Sequence, residues 1–145
     1  MENTATMKLK AWIKKAETFK SHPYSDTQGK MTIGWGRNIE DNGISQEEGD
    51  FMFDNDYARC EQDLSSFHWY TDQPDDVKAA LMNMCFNLGL TRLLGFRKMI
   101  SALIDKDYAR AANEAIKSKW ATQVGQRAMD VALMIREAQK YGPKA

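Results

Sequence analysis

The sequence is poor in the residues that build metal and disulfide sites. Only two histidines, His22 and His68, and two cysteines, Cys60 and Cys85, occur among its 145 residues. Neither cysteine belongs to a CxxC pair or stands near a histidine at metal-ligand spacing, which removes the common zinc and dithiol motifs. Both fall at apolar positions of helical patterns, so they read as buried free thiols, with a disulfide as the minor alternative. With only two histidines, a histidine-rich zinc site is not expected. Long apolar runs are also missing, so stable membrane insertion is not expected. The start, MENTATMKLKAWIKKAE, has neither a continuous apolar stretch nor a small-residue cleavage site, and it does not read as a secretory signal. The expected place of synthesis and retention is the cytoplasm. Net charge is lacking too: 20 Lys and Arg balance 20 Asp and Glu. A nucleic-acid binder is more often basic overall, so nucleic acid is not an expected partner.

What is present is an ordinary globular composition, 43% hydrophobic and 28% charged, long enough for one domain with a real core. No internal repeat, low-complexity segment or linker interrupts it. The balanced charge is unevenly spread. Lys8 to Arg37 holds seven bases against two acids, Glu40 to Asp76 twelve acids against the single base Arg59, and Arg110 to Lys144 seven bases against three acids. These runs read as solvated faces, or as two basic walls facing an anionic polymer with an acidic connector turned away.

Leu9, Trp12, Ile13, Ala16 and Phe19 recur at helical spacing, which predicts a first helix to about Lys20, ended by Pro23. Asp26-Thr27-Gln28-Gly29 reads as a turn and Met31 to Trp35 as a short strand. Gly34 and Gly36 would weaken a longer strand, or allow close backbone approach beside a cleft. Asp41-Asn42-Gly43 is another turn. Ser45 and Glu48 form a capping box for a long helix with Phe53, Tyr57, Cys60 and Leu64 on one stripe and acids outside. The pattern breaks between Ser65 and Pro74. Pro74 fits the first turn of a strongly periodic helix that carries Val77, Ala80, Leu81, Met84, Cys85 and Leu88 and is capped by Gly89. Further helices are expected around Met99–Ile104, Tyr108–Ile116 and Val124–Tyr141. The sum is an α+β protein, mostly α.

The chemistry concentrates between Glu17 and Arg37. Glu17 ends the first helix on the turn that holds Ala16 and Phe19, where partial desolvation is expected. Asp26 sits at a polar turn within reach of backbone N–H groups. Thr32 projects from the following strand, with a hydroxyl able to donate to a carboxylate and accept from a water. Two carboxylates in different settings are what glycosidic cleavage needs: one donates a proton to the leaving oxygen, the other stabilises charge or directs a water.

Glutamate, eight residues, aspartate, five residues, threonine, then Ile33-Gly34-Trp35-Gly36, resembles the active-site block of the phage-type lysozymes, the family of the T-even bacteriophage lysozyme. Met52 to Asp56 is similar to that family's inter-lobe helix, and Ala80 to Gly89 to its central buried helix. Gly95-Phe96, Ala111-Ala112, Ser118-Lys119-Trp120 and Gln126-Arg127-Ala128 follow in family order, so the resemblance covers roughly residues 9 to 136.

The resemblance implies a two-lobed lysozyme-like fold in a single domain over residues 1–145. A small β-sheet lobe is expected at about 17–44, an inter-lobe helix at about 45–64, and a helical lobe at about 65–145 together with the N-terminal helix. It implies an endolysin that hydrolyses the β-1,4 bond between N-acetylmuramic acid and N-acetylglucosamine in peptidoglycan and lyses the host cell. Glu17 matches the general acid, and Asp26 and Thr32 match the pair that holds the attacking water; no metal and no organic cofactor is implied, because proton transfer and charge stabilisation suffice. The implied partner is the peptidoglycan glycan strand, reached by a monomer. It waits in the host cytoplasm until a holin permeabilises the membrane, then acts on periplasmic peptidoglycan. Arg127 matches an arginine near the catalytic glutamate, or is an exposed helix charge. Asn83 and Asn87 are placed at the substrate cleft, although Asn83 reads equally as a satisfied core amide. Trp35 and Trp120 are candidates to stack on sugars, against the commoner role of large aromatics in a core.

The chain departs from the family at Arg37, where a histidine is usual, and is shorter between Arg37 and Ser45. A reduced sheet and an Arg37–Asp56 ion pair are therefore expected. An inverting mechanism, with the two carboxyl groups about 6.5–9.5 Å apart, is the expected outcome. The rivals are a non-catalytic peptidoglycan-binding module, a membrane-active lytic protein using a basic C-terminal helix, and a lytic transglycosylase.

Overall fold

The computed structural model describes residues 3–140. Among them are ten α-helices and one three-stranded antiparallel sheet in the order β1-β2-β3, the mostly-α form of α+β that the pattern predicts. They form two compact units, one ending at Phe51 and the other beginning at Met52.

The first unit opens with α1 (Thr4–Glu17), capped by Asn3, whose Oδ1 accepts from Thr6 N–H at 2.8 Å. The helix stops at Glu17, three residues short of the expected end, and Pro23 does not end it. Thr18 takes a positive φ of 61° and closes the last turn through its N–H to Lys14 O. The chain then enters β1 (Lys20–Ser25), so Pro23 lies inside a strand. That position is tolerated because β1 is an edge strand and its register slips between Lys20 and Tyr24. β2 (Met31–Gly34) pairs with β1 through Tyr24↔Thr32 and with the two-residue β3 (Arg37–Asn38) through Ile33↔Arg37. The expected turn at Asp41-Asn42-Gly43 is instead the end of a one-turn helix, α2 (Ile39–Asn42), with Gly43 after it. Asn38 starts this turn, accepting from Asp41 N–H at 3.0 Å.

α3 (Gln46–Leu64) begins as the capping box predicts. Glu48 N–H donates to Ser45 Oγ at 3.1 Å, and Ser45 N–H donates to Glu48 Oε1 at 2.9 Å. Its apolar stripe is covered unevenly. Leu64 is fully buried and Cys60 half-buried, whereas Phe53 and Tyr57 stay exposed and lean on each other, with Phe53 also 5.2 Å from Phe86.

The second unit holds the core. α5 (Asp75–Leu88) contributes Val77, Ala80, Leu81, Met82, Met84, Cys85 and Leu88 to it. Pro74 is the residue before this helix rather than within it, and Gly89 ends it at φ 81°. α10 (Gln126–Glu137) packs on both α5 and α8 (Tyr108–Lys117), and α8 packs in turn on α7 (Arg97–Ile104). Three short helices fall where no periodic pattern announced them: α4 (His68–Thr71), α6 (Leu90–Leu94) and α9 (Lys119–Val124). Each is too short to repeat a 3.6-residue pattern. Both thiols are free, as expected. Cys85 is buried, and that burial, with Cys60 beside it, pushes its thiol up to about 12.

One buried amide ties the second unit together. Gln73 Nε2 donates to Trp69 O at 2.8 Å and Leu103 O at 3.1 Å, while its Oε1 accepts from Tyr108 Oη at 2.7 Å and Lys106 Nζ at 3.3 Å. Four partners satisfy the amide in a place where an unpaired one would be costly. Two substitutions test this. Tyr108→Phe leaves Oε1 with Lys106 and should cost about 0.5–1.5 kcal/mol. Gln73→Leu strands the tyrosine hydroxyl and should cost about 1–3 kcal/mol. Urea midpoints order the two, and equal stability of Gln73→Leu and wild type would show the network to be dispensable.

Candidate active site

Glu17 is the last residue of α1, and its carboxyl lies against the backbone of Gly36. A Cβ built on Gly36 would clash with Glu17 Oε2 and stand 2.8 Å from its Cδ. Gly36 also has φ 76°, which disfavours any side chain. The second glycine of Gly34-Trp35-Gly36 is therefore a packing surface for a carboxylate, the close approach that the flanking glycines suggested. The expected desolvation of Glu17 is not seen. α1 buries none of its residues, and the last turn leaves the glutamate in solvent.

Asp26 and Thr32 are joined through one carbonyl. Asp26 Oδ1 accepts from Gln28 N–H and Lys30 N–H, both at 2.8 Å, so the hairpin turn is wrapped around it. Asp26 N–H donates to Lys30 O at 2.9 Å, and the Thr32 hydroxyl donates to the same oxygen at 2.9 Å. Asp26 Oδ2 has no partner among the described residues. Thr32 is 3% exposed, the one buried polar residue of the first unit among those described. Its proton goes to a backbone carbonyl, not to a carboxylate as expected, and its lone pairs remain open.

Trp35 stands 47% exposed beside this group, tilted on Phe19 at 5.3 Å with Lys14 Nζ 5.2 Å from its ring centre. Core packing is not its role. Trp120 does take the core role: it is 4% exposed, edge-on to Phe96, and donates its indole N–H to Asn87 Oδ1 at 2.8 Å. Asn83 is exposed rather than a core amide. It accepts from Arg127 Nε at 2.7 Å through Oδ1 and from Arg127 Nη2 at 3.3 Å through its carbonyl. The second unit thus pairs Asn83 with Arg127 and Asn87 with Trp120.

The expected Arg37–Asp56 ion pair is replaced. Arg37 forms a two-pronged pair with Glu48, and its Nη1 also donates to Gly43 O at 3.1 Å. Asp56 stands 3.8 Å from Arg59 on its own helix. Glu48 wins because the Ser45 capping box already turns its carboxylate back over the start of α3, presenting both oxygens to the guanidinium fork. The Arg37 hydrogen bonds, then the Ser45 N–H, hold the Glu48 carboxyl down at about 2, and Arg37 is shifted up in return. The sequence marked Glu48 by its spacing from Ser45, but only as a cap.

The chain matches the family model described as phage lysozyme over residues 14–140. A protein named "Probable T4-type lysozyme 2" from Dictyostelium discoideum is 28% identical to it, over 82% of this chain and 88% of that one. "Probable T4-type lysozyme 1" from the same organism is 26% identical, over 88% of this chain and 92% of its own length. The "Pre-baseplate central spike protein Gp5" of Enterobacteria phage T4 is 24% identical over 92% of this chain, which spans 28% of that protein.

The Arg37–Glu48 fork carries a pH signature. A carboxyl lowered on folding stabilises the fold fully above its unfolded value and loses that contribution as pH falls through the folded one. Glu48→Gln keeps a side chain able to complete the capping box but removes the ion pair. The wild-type advantage over Glu48→Gln in urea midpoint should be full above about pH 5, shrink below about pH 4 and vanish near about pH 2. A difference that persists unchanged at the acid end would contradict the ion pair.

Proposed function

The chain belongs to the phage lysozyme family, and from that premise we propose that it is an endolysin. In this reading it hydrolyses the β-1,4 bond between N-acetylmuramic acid and N-acetylglucosamine of peptidoglycan and so lyses the bacterial cell. Access runs through a membrane lesion made by a holin; no helix among the described residues is long and apolar enough to cross a membrane. The observation that carries the reading is the group Glu17, Asp26 and Thr32. The glutamate is seated on Gly36 just beyond β2, and the other two share the Lys30 carbonyl where β1 turns into β2.

Glu17 acts as the acid. Its carboxyl protonates the glycosidic oxygen as the bond from that oxygen to the muramic anomeric carbon breaks. A glycan strand laid over the exposed carboxyl would itself exclude water there. The Thr32 proton is committed to Lys30 O, so Thr32 serves a water as acceptor. Such a water gives one proton to Thr32 Oγ1 and one to the open Asp26 Oδ2, and aims its lone pair at the anomeric carbon. As attack proceeds, Asp26 takes the proton and the sugar gains the oxygen. Trp35, exposed beside Gly36, offers a face for a sugar ring. Arg127, Asn83 and Asn87 are supporting residues whose hydrogen bonds fix their side chains before substrate arrives.

Glu17→Gln should fold normally and lose lytic activity by roughly two to four orders of magnitude. Clearing of permeabilised Gram-negative cells measures it, and near-wild-type clearing by the folded variant would falsify the acid assignment. Killing that survives with hydrolysis abolished would point to a membrane-lytic protein instead.

A water held by Asp26 and Thr32 attacks from the face opposite the leaving oxygen. The α-anomer is therefore the expected first product from the β-linked substrate, as for carboxyls about 6.5–9.5 Å apart rather than about 5–5.5 Å. Proton NMR of a defined fragment reads the anomer directly. The β-anomer first would make Asp26 a nucleophile, and an anhydro sugar in the released muropeptides would make the reaction a transglycosylation.

A further inference from the structure

Asp26 and Thr32 meet on one peptide unit, the one between Lys30 and Met31. Its oxygen, Lys30 O, accepts from Asp26 N–H and from the Thr32 hydroxyl, both at 2.9 Å. The unit is trans. A trans peptide is planar, with its oxygen and its N–H pointing in opposite directions, so whatever holds the N–H aims the oxygen. The β2–β3 ladder pairs only Thr32 with Asn38 and Ile33 with Arg37, and Met31 lies beyond it. The chain has by then turned into α2, and the Met31 N–H must find its acceptor elsewhere.

Glu40, in the first turn of α2, supplies it. Its Oε1 accepts from Met31 N–H at 3.2 Å, and its Oε2 stands 3.5 Å from Lys30 Nζ. One carboxylate therefore grips both residues of the peptide unit. Asp41 holds the same ammonium at 3.2 Å and is itself held by Asn38 Nδ2 at 3.0 Å. The lysine pairings are partly exposed and contribute little. The bond to Met31 fixes a direction. It also polarises the unit: a carboxylate on the N–H raises electron density on Lys30 O, which strengthens the Thr32 and Asp26 bonds.

We propose that Glu40 is a positioning residue for the hydrolytic water. Through the Lys30–Met31 peptide it keeps the Thr32 proton on Lys30 O, and so keeps Thr32 an acceptor. The proposal rests on the hydrolase reading above. Without Glu40 the peptide is free to rock and the Thr32 hydroxyl to swing. Thr32 then offers a proton to the water it should accept from, and the water's lone pair leaves the line to the anomeric carbon. The loss falls on the chemical step rather than on glycan binding.

Steady-state hydrolysis of a soluble peptidoglycan fragment tests it. Glu40→Ala should lower kcat by about 10–100-fold, the scale of a misplaced reacting group, with KM within about twofold of wild type. Glu40→Gln keeps an oxygen for Met31 N–H and loses only the charge, so its kcat should return to within about threefold of wild type. NMR reads the clamp without substrate. In wild type and Glu40→Gln the Met31 amide should be protected from exchange and Thr32 should hold a single rotamer by its three-bond couplings. Both features should be lost in Glu40→Ala. Thermal melting checks the fold, and Glu40→Met, of like length and without an acceptor oxygen, repeats the test if the smaller side chain unfolds the hairpin. Unchanged kcat in the folded variant lacking the acceptor would overturn the proposal. So would a loss carried by KM alone, which would make Glu40 a glycan contact, or Glu40→Gln as slow as Glu40→Ala, which would make its charge the requirement. The two readings fail separately: wild type without hydrolysis sinks the hydrolase, whereas active wild type with an unimpaired Glu40→Ala sinks only the role of Glu40.

Discussion

The arrangement of the first unit turns on the approach of the Glu17 carboxyl to the backbone of Gly36. The space that a Cβ would need is occupied by the carboxylate, so the end of α1 and the turn after β2 must be solved together. A residue with a side chain at 36 would either push the glutamate away or bend the turn, and φ 76° resists that residue independently. Two unrelated demands, backbone conformation and room for a carboxyl, thus fall on one position. Because Trp35 sits between the two glycines, the same turn decides where its exposed ring stands.

The two units are stabilised by different physics. Among the described residues the first buries only Thr32, while the buried apolar residues all come from Leu64 onward. The first unit therefore relies on polar closure: the Asp26 turn, the shared Lys30 carbonyl, the Asn38 cap, and Glu48 serving both the helix start and Arg37. Such bonds specify geometry well and contribute modestly each. The second unit relies on a core of buried apolar residues, with Gln73 as its one buried amide among the described residues. That amide is tolerable only because four neighbours satisfy it.

Hydrogen-bond direction limits what each candidate site residue can do. Thr32 has one proton and gives it to Lys30 O, which leaves it an acceptor. Asp26 has one oxygen engaged by two backbone N–H groups and the other open. Arg127 and Asn83 constrain each other, as do Asn87 and Trp120. These pairings separate side chains fixed by a hydrogen-bond partner from Trp35, whose ring leans on Phe19 and Lys14 and stays half exposed.

Periodicity and caps were legible in the sequence. α3, α5, α7, α8 and α10 repeat their apolar residues over enough turns to show a 3.6-residue period, and Ser45 with Glu48 marked the start of α3 by local chemistry alone. The Glu17, Asp26, Thr32 spacing and the glycines around Trp35 were legible as a pattern, as was the turn at Asp26. The one-turn helices were not, since four to six residues hold too little repeat. Pro23 misled because its effect depends on whether the strand is at an edge, which only pairing decides. The partner of Arg37 was equally out of reach: several acids lie within range in sequence, and the choice of Glu48 over Asp56 follows from where the capping box turns its carboxylate. Gln73 looked like any polar residue before a proline, and only the convergence of Trp69, Leu103, Lys106 and Tyr108 made it a buried hub. The sequence by itself determined what depends on neighbours along the chain. Tertiary structure decided burial, partner choice and the direction of each shared proton, because these depend on groups that meet only when distant segments are brought together.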